Sequence, residues 1–271
     1  MDMKTYRFGV LGAGSMGKTI AAGAVRAGLL RPDEVLLFSR SEEKRAANAA
    51  EGYAVTGDFT EVYTACDTVL LSVKPQNFAE VLPQLAACTC SKPLVLSIAA
   101  GISFAKIEAA LGADTPIIRA MPNTPSLVNA GMTSVTPNAL VTPEDVADVL
   151  NIFRCFGEAE VIAESMIHPV VGVSGSAPAY VFMFLEAMAD AAVLGGMPRA
   201  QAYKFAAQAV MGSAKMVLET GKHPGELKDM VCSPGGTTIE AVRVLEERGF
   251  RSAVIEAMAK CMEKSEKLSK S

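Results

Sequence analysis

The first half of the chain alternates short apolar runs with longer amphipathic segments, and this alternation limits the possible folds more than any other feature. The runs are often β-branched, as in Val35 to Phe38. The segments between them have helical spacing, and several end at a glycine, as helices commonly do. Strands that alternate with helices form a parallel sheet with helices on both faces. The predicted strands are 8–11, 35–38, 68–73, 94–98 and 117–120, and the predicted helices are 15–28, 41–51, 76–87 and 103–111.

From about Val161 onward, the sequence predicts helices separated by breaks rich in glycine and proline. Four such helices carry more apolar surface than a small bundle can cover. We therefore expect this half to pack against a second copy of the chain, with a compact monomeric bundle as the alternative. The predicted helices are 178–194, 199–219, 237–248 and 251–267.

Composition and charge disfavour several classes of partner. The net charge is −4, whereas a surface that neutralises many phosphates is usually basic, so nucleic-acid binding is disfavoured. No apolar run approaches the roughly 18 residues of a membrane helix, and the start of the chain lacks the apolar stretch of a signal peptide. The six cysteines are scattered as in reduced cytosolic proteins, and nothing completes a metal site beside Cys88 and Cys90. These features predict a soluble cytoplasmic protein with no metal site.

Gly12 to Gly17 spell G-x-G-x-x-G between the first predicted strand and a helix. There the first glycine permits a tight turn, the second lets the backbone approach a pyrophosphate and the third lets the helix pack closely on the strand. An ordinary glycine-rich turn is the alternative. The predicted fold class is therefore α/β: an N-terminal doubly wound Rossmann-type domain over 1–162, followed by an all-α dimerisation domain over 163–271. The loop residues expected to bind the dinucleotide are Gly12, Ala13, Gly14, Ser15, Met16 and Gly17.

Ser39, Arg40 and Ser41 follow the second predicted strand, where an NAD enzyme usually has an acidic residue that binds the ribose diol. Arg40 can instead pair with a 2′-phosphate, to which the serine hydroxyls can donate. The sequence therefore favours NADPH, with NADH as the weaker cofactor. The alternative is that Arg40 lies in solvent and that Glu42 or Glu43 faces the ribose.

Two further loops follow strands at the same edge of the predicted sheet, where ligands bind in open α/β folds. Lys74 directly follows strand 68–73. We expect it to contact a ribose, with a solvated loop residue and a catalytic acid as the alternatives. The small residues Ala99 and Ala100, after strand 94–98, would let the nicotinamide ribose come close.

In the helical half, small residues and hydroxyls gather around Ser176 and from Cys232 to Thr238. Both stretches lead into predicted helices, so free backbone N–H groups and hydroxyls could bind a small carboxylate. The alternative is simple capping by Ser233 or Thr237, with Glu240 completing a capping box.

The helical half also lacks a strong acid–base group near these stretches. Its histidines are His168 and His223, and no lysine occurs from Val173 to Tyr203. Reduction of a carbonyl normally needs such a group to supply the alcohol proton. An imine nitrogen can take its proton from solvent, so the enzyme mainly has to orient its substrate. The sequence therefore favours a C=N substrate over a C=O substrate.

Seven motifs spread in order over essentially the whole chain together resemble the pyrroline-5-carboxylate reductases. The resemblance implies NAD(P)H-dependent hydride transfer to the C=N bond of 1-pyrroline-5-carboxylate, which gives L-proline in the last step of proline biosynthesis. It also implies a homodimer formed through the helical domain, which in this family often assembles into larger rings such as a decamer. The motifs are VLGAGSMG, SVKPQ, SIAAGI, RAMPNTP, VSGSAPAY, HPGELKD and SPGGTTIEAV.

The resemblance assigns roles to particular residues. It places Asn123 near the nicotinamide and the Thr238 hydroxyl near the ring nitrogen, where Thr238 would relay a proton. Met230 departs from the family pattern, which often has Asn there. The residues assigned to the dinucleotide are Gly12 to Gly17, Ser39, Arg40, Val73, Lys74, Pro75, Ala99, Ala100 and Asn123, and those assigned to the substrate are Ser176, Ser233, Gly235, Gly236, Thr237 and Thr238.

Two other readings compete with this one. A β-hydroxyacid dehydrogenase also joins a Rossmann domain to helices, but Val181 stands where that family carries its catalytic lysine. A non-enzymatic NADP(H)-binding regulator is the other alternative, and it would have no use for the Gly-Gly-Thr-Thr turn.

Overall fold

The structure is a computed structural model that describes residues 5–12, 14–90 and 92–270. The chain divides into two compact units. The first extends to Gly175 and also includes the chain from Met262 onward, whereas the second comprises Ser176 to Cys261. The boundary predicted between 162 and 163 lies inside the first unit, because the helical turns after the last strand still bury Ile167 there.

The first unit is built on an eight-stranded sheet with the order β3-β2-β1-β4-β5-β6-β7-β8. The first six strands are parallel in the 3-2-1-4-5-6 order of doubly wound dinucleotide-binding folds. β7 runs antiparallel to β6, and β8 runs parallel to β7. The strands are β1 (Tyr6–Leu11), β2 (Val35–Phe38), β3 (Ala54–Thr56), β4 (Cys66–Leu71), β5 (Leu94–Ser97), β6 (Ile117–Met121), β7 (Gly131–Pro137) and β8 (Gly157–Val161).

The five strands predicted from apolar runs are confirmed, but β3, β7 and β8 were missed. β3 has three residues, and β7 and β8 contain Ser, Thr and Glu in place of an apolar run. A glycine pair marks where the last two strands meet: a Cβ on Gly157 would lie 2.0 Å from the carbonyl oxygen of its partner Gly131. The requirement for glycine at both positions arises only from the pairing of β7 with β8.

Helices cover both faces of this sheet, as the alternation predicted. Phe8 and Val10 of β1 contribute to one core and Leu11 to the other, because successive strand residues point to opposite faces. The four helices predicted here are confirmed with ends shifted by a few residues, and α3 and α6 were missed. The helices are α1 (Ser15–Arg26), α2 (Glu42–Ala50), α3 (Phe59–Ala65), α4 (Phe78–Ala86), α5 (Phe104–Leu111), α6 (Pro143–Arg154) and α7 (Ile167–Val170), which continues into a π-helical turn, Val171–Gly175.

The second unit is helical, and the four helices predicted for it are confirmed. The short helix α10 was missed, and the break predicted at 221–225 overlaps only its first two residues. The last helix ends beyond Cys261, so its final turns belong to the first unit, where His168 Nδ1 lies 2.9 Å from Ser265 Oγ. The helices are α8 (Ala177–Leu194), α9 (Arg199–Thr220), α10 (Pro224–Val231), α11 (Thr237–Glu247) and α12 (Phe250–Lys270).

Large apolar side chains of the second unit lie on its surface. Phe182 and Met183 of α8 are 60% and 69% exposed, and Phe205 of α9 is 61% exposed. Among the described residues of this unit, the buried apolar side chains are the small ones of Ala189, Ala202 and Ala206. A helical unit that exposes phenylalanines while burying alanines lacks most of its core, which indicates an interaction surface.

One helical stretch, Glu164–Leu194, has the length and composition of a membrane-crossing helix, with a mean hydropathy of 1.5 over its most apolar window. The sequence predicted no apolar run of about 18 residues, but by average hydropathy this stretch has the composition of a membrane helix. The prediction rested on consecutive apolar residues, which are interrupted at Pro178 and Glu186, whereas an average over a window of the helical stretch depends less on single residues. A single such helix is weak support for a membrane span, since an interface helix has the same composition.

Candidate functional site

The loop after β1 makes the tight turn that its first glycine predicts. Gly12 has φ +98°, and a Cβ there would lie 2.9 Å from the backbone nitrogen of Val73. The Gly12 carbonyl accepts hydrogen bonds from Gly14 N at 2.7 Å and from Ser72 Oγ at 2.5 Å. The turn is therefore held against the end of β4.

The other two glycines of the loop differ in their surroundings. Gly14 is exposed with extended backbone, and no described atom lies within 4 Å of an ideal Cβ at this position. A Cβ on Gly17 would instead lie 2.4 Å from Ser72 Oγ and 2.7 Å from the Gly12 carbonyl oxygen. The loop is thus open in front of α1 and closed behind it, which fits a pyrophosphate at the helix N-terminus. Ala13 and the side chain of Ser15 lie outside the described residues, and Met16 packs against the core.

The loop between β2 and α2 presents the residues predicted to bind the 2′-phosphate. Arg40 is exposed, and it forms no ion pair with a carboxylate that the structure describes. Ser41 is the N-cap of α2, where its Oγ accepts from Lys44 N at 3.4 Å. Glu42 and Glu43 occupy the first helical turn, where a carboxylate is favoured by the helix dipole.

Three predicted loops share one edge of the sheet, because β1, β4 and β5 are neighbours. Ser72 N donates to Leu11 O at 2.9 Å, and Ile98 N donates to Leu71 O at 3.3 Å, so the strand ends are joined by hydrogen bonds. Beyond them, Lys74 and Ala100 are exposed. The other predicted contacts in these loops are Val73, which is half-buried, Pro75, which is exposed, and Ala99, which is buried.

Asn123, which was predicted to lie near the nicotinamide, forms hydrogen bonds within the protein. Its Nδ2 donates to both the carbonyl oxygen and Oγ of Ser174 at 3.2 Å, and its Oδ1 accepts from Met132 N at 3.0 Å. It therefore joins the end of β6 to β7 and to the π-helical turn. The predicted contact with the nicotinamide stays a prediction, and the structure adds a structural role.

We expect Asn123→Ala to destabilise the protein by about 1–3 kcal/mol, the range for leaving a partly buried backbone donor without its partner. The shift in the denaturant midpoint measures this loss. Asn151→Ala, on the exposed face of α6, is the matched control and should leave the midpoint nearly unchanged. Equal midpoints for the two variants would show that the Asn123 bonds contribute nothing to stability.

Arg119 is a buried cation in β6 to which no sequence pattern assigned a role. Its Nη1 donates to Glu164 Oε1 at 2.7 Å, and its guanidinium lies 5.7 Å from the centre of the Phe104 ring. Burial lowers the pKa of Arg119, and the charge of Glu164 opposes that shift. The sequence signal for this contact was a charged residue inside an apolar strand. The ion pair attaches the segment that follows β8 to β6.

In the second unit, α11 begins without the side-chain cap that was the alternative to a carboxylate-binding site at this turn. The N-cap residue is Gly236, no described side chain caps this end, and Glu240 pairs with Arg243 at 2.7 Å. The capping-box alternative is therefore wrong, because a glycine stands at the N-cap position, where a capping box needs a hydroxyl residue.

The turn before α11 closes with a hydrogen bond from Gly236 N to Ser233 O at 3.0 Å, and Gly235 has φ +68°. Thr237 is exposed and Thr238 half-buried at the first turn of the helix.

Ser176 lies at the N-cap of α8 and makes no cap bond with its side chain. Its Oγ accepts from Cys261 Sγ at 3.2 Å. A hydrogen bond to Cys261, together with burial, raises the pKa of Tyr180 above the usual range for a phenol. Cys261, in the middle of α12, is thus a neighbour of the predicted substrate residue Ser176. Sequence reasoning missed Cys261, because only the fold brings α12 to α8.

The sheet order and the glycine loop define a dinucleotide-binding protein of the doubly wound class joined to a helical unit. Family models agree with each part. Residues 7–101 match the model described as NADP oxidoreductase, coenzyme F420-dependent. Residues 164–268 match the model for pyrroline-5-carboxylate reductase dimerisation.

Known relatives extend the match to the whole chain. The pyrroline-5-carboxylate reductase of Escherichia coli is 67% identical over 98% of this chain and 99% of its own length. A solved pyrroline-5-carboxylate reductase from Coxiella burnetii superposes with a TM-score of 0.91 at 34% identity, covering 99% of this chain and 100% of that one. A Plasmodium falciparum pyrroline carboxylate reductase solved with NADP bound gives 0.86 at 30% identity, covering 98% and 99%. The chain belongs to the pyrroline-5-carboxylate reductase family, a family of oxidoreductases that use a nicotinamide cofactor, and the resemblance of its motifs is confirmed.

Proposed function

We propose that this chain reduces 1-pyrroline-5-carboxylate to L-proline, the last step of proline biosynthesis, with NADPH as cofactor and NADH as the weaker alternative. The observation that carries the proposal is the similarity to pyrroline-5-carboxylate reductases over nearly the full length of both chains. Two local features support it: the open loop at Gly14 suits a pyrophosphate, and the uncapped start of α11 suits a carboxylate.

In this proposal the dinucleotide, when bound, would be the source of the hydride that reduces the imine carbon. The glycine loop and the loops with Val73, Lys74, Pro75, Ala99 and Ala100 hold the dinucleotide in the first unit. Ser176 and the turn from Ser233 to Thr238 hold the substrate carboxylate in the second. Thr238 donates its hydroxyl toward the ring nitrogen and relays the proton that the product amine needs.

The reaction is tested by following NADPH oxidation with 1-pyrroline-5-carboxylate, with NADH and a panel of 3-oxo acids assayed in parallel. Turnover with the cyclic imine alone supports the proposal. Turnover with a 3-oxo acid would instead favour the β-hydroxyacid dehydrogenase, and cofactor binding without any turnover would favour the regulator.

Arg40→Ala should raise KM for NADPH by about 10- to 100-fold and leave KM for NADH nearly unchanged, because one charge-assisted hydrogen bond to the 2′-phosphate is lost. Steady-state kinetics with each cofactor measure both values. Arg31→Ala is the matched control, since Arg31 is an exposed arginine paired with Asp33 before β2. If Arg40→Ala raises both KM values equally, the assignment of the 2′-phosphate to Arg40 is wrong.

We further propose a cytoplasmic homodimer formed through the second unit, able to assemble into a decamer, with a small-molecule substrate and no membrane or nucleic-acid partner. The family model for dimerisation covers the helices that expose Phe182, Met183 and Phe205. A second copy of the chain would cover these side chains without a membrane.

Light scattering of the purified protein should therefore give at least twice the 28.4 kDa of one chain. The same sample should stay in the supernatant when lipid vesicles are sedimented, since the apolar faces of α8 and α9 are already covered in the assembly. A mass of one chain at micromolar concentration, or recovery with the vesicles, would contradict the dimer.

A further inference from the structure

Arg45, in the first turns of α2, turns back toward the loop that precedes its own helix. Its Nη1 donates to the carbonyl oxygen of Ser39 at 2.8 Å and to that of Arg40 at 3.1 Å. The side chain is half-buried. A single guanidinium nitrogen thus bonds two consecutive carbonyls of the segment predicted to bind the 2′-phosphate.

The surroundings of Arg45 hold its guanidinium in place. An ideal Cβ on Gly57 would lie 3.4 Å from Arg45 Nη1 and 3.5 Å from Cζ, so the group lies against this glycine. Ser39 N donates to Thr56 O at 3.1 Å, which fixes the same loop from the side of β3. Ser41 Oγ caps α2 at the other end of the loop. The backbone from 39 to 41 is therefore held by three sets of hydrogen bonds. Arg45 makes one of them, with a side chain that comes from inside α2.

Arg45 forms no ion pair with a carboxylate among the residues that the structure describes. Its hydrogen bonds to carbonyls leave its positive charge intact beside Arg40. Without these bonds, the two carbonyls would turn to water and the exposed loop would sample more conformations, each of which must be given up when a ligand binds.

We infer that Arg45 is a positioning residue for cofactor selection: by bonding the carbonyls of Ser39 and Arg40, it holds the loop in the conformation from which Arg40 reaches the 2′-phosphate. The inference rests on the proposed preference for NADPH. Arg45 acts through Arg40, so its contribution is present with NADPH and absent with NADH.

The first test compares Arg45→Met, which keeps the apolar stem and removes every donor, with Arg45→Lys, which keeps the charge and one donor site. Arg45→Met should raise KM for NADPH about three- to tenfold, less than Arg40→Ala does, because the lost hydrogen bonds affect the 2′-phosphate only through the loop, while KM for NADH changes less than about twofold. The effect falls on KM and not on kcat, and Arg45→Lys recovers part of it. An equal rise in both KM values would overturn the inference, because a merely structural role affects both cofactors alike.

The second test is a double-mutant cycle with Arg40→Ala. If Arg45 acts through Arg40, adding Arg45→Met to Arg40→Ala produces no further rise in KM for NADPH. Additive effects would overturn the inference and give Arg45 an independent contact. Arg40→Ala alone tests the proposed NADPH preference, so a failure of that proposal is recognised separately. Thermal unfolding checks that each variant folds, and the cycle is run with Arg45→Lys if Arg45→Met does not.

Discussion

Thr238→Ala should lower kcat for the reduction of 1-pyrroline-5-carboxylate by roughly 10- to 1000-fold, the scale for losing one positioned polar group. The half-buried position of Thr238 in the first turn of α11 puts its hydroxyl at a helix end that no described side chain caps. KM for the dinucleotide should change little, because the glycine loop lies in the other unit.

Thr238→Ser is the matched control for this prediction. It keeps the hydroxyl and removes one methyl group, so kcat should stay within a few-fold of the parent protein. Unchanged kinetics in Thr238→Ala would remove Thr238 from the mechanism. Equal losses in both variants would indicate that the threonine acts by packing and not through its hydroxyl.

Gly14→Ala should raise KM for NADPH and for NADH by at least about tenfold without lowering the stability of the protein. The backbone at Gly14 is extended with φ −73°, and no described atom lies within 4 Å of an ideal Cβ there, so alanine fits this loop. In the proposed complex, a Cβ there would occupy the space where the pyrophosphate meets the start of α1 and would weaken the charge-assisted bonds from the helix end. Steady-state kinetics and thermal unfolding measure the two effects.

Gly28→Ala separates this steric effect from backbone strain. Gly28 follows α1 with φ +73° and also has open space at its Cβ. Alanine there should cost about 1–2 kcal/mol of stability through the left-handed backbone, with no effect on either KM. If Gly14→Ala binds both dinucleotides normally, the loop does not hold a pyrophosphate.

Local pattern was sufficient for the parts of this protein that local physics controls. The apolar runs at β1, β2, β4, β5 and β6 predicted buried parallel strands, because a strand covered on both faces has no polar side. The glycines at 12, 14 and 17 predicted a turn, an open approach and a close packing contact, and the structure has all three.

Other parts were decided by contacts between distant residues. β7 and β8 lack an apolar run, and they form strands because β6 pairs with β7 and because Gly131 and Gly157 allow the last two strands to meet. The bonds of Asn123 to Ser174 and the contact of Ser176 with Cys261 likewise join segments far apart in the chain.

The sequence by itself determined the fold class, the glycine-rich turn after β1 and the family, since each depends on residue types at short spacing. The tertiary structure alone decided that Asn123 serves as a bridge, that Gly236 and not a hydroxyl residue begins α11, and that Arg45 turns back onto the loop of Arg40. These features depend on where a side chain points and on which backbone groups remain unpaired. Spacing along the chain does not contain that information, because it arises only when the elements pack.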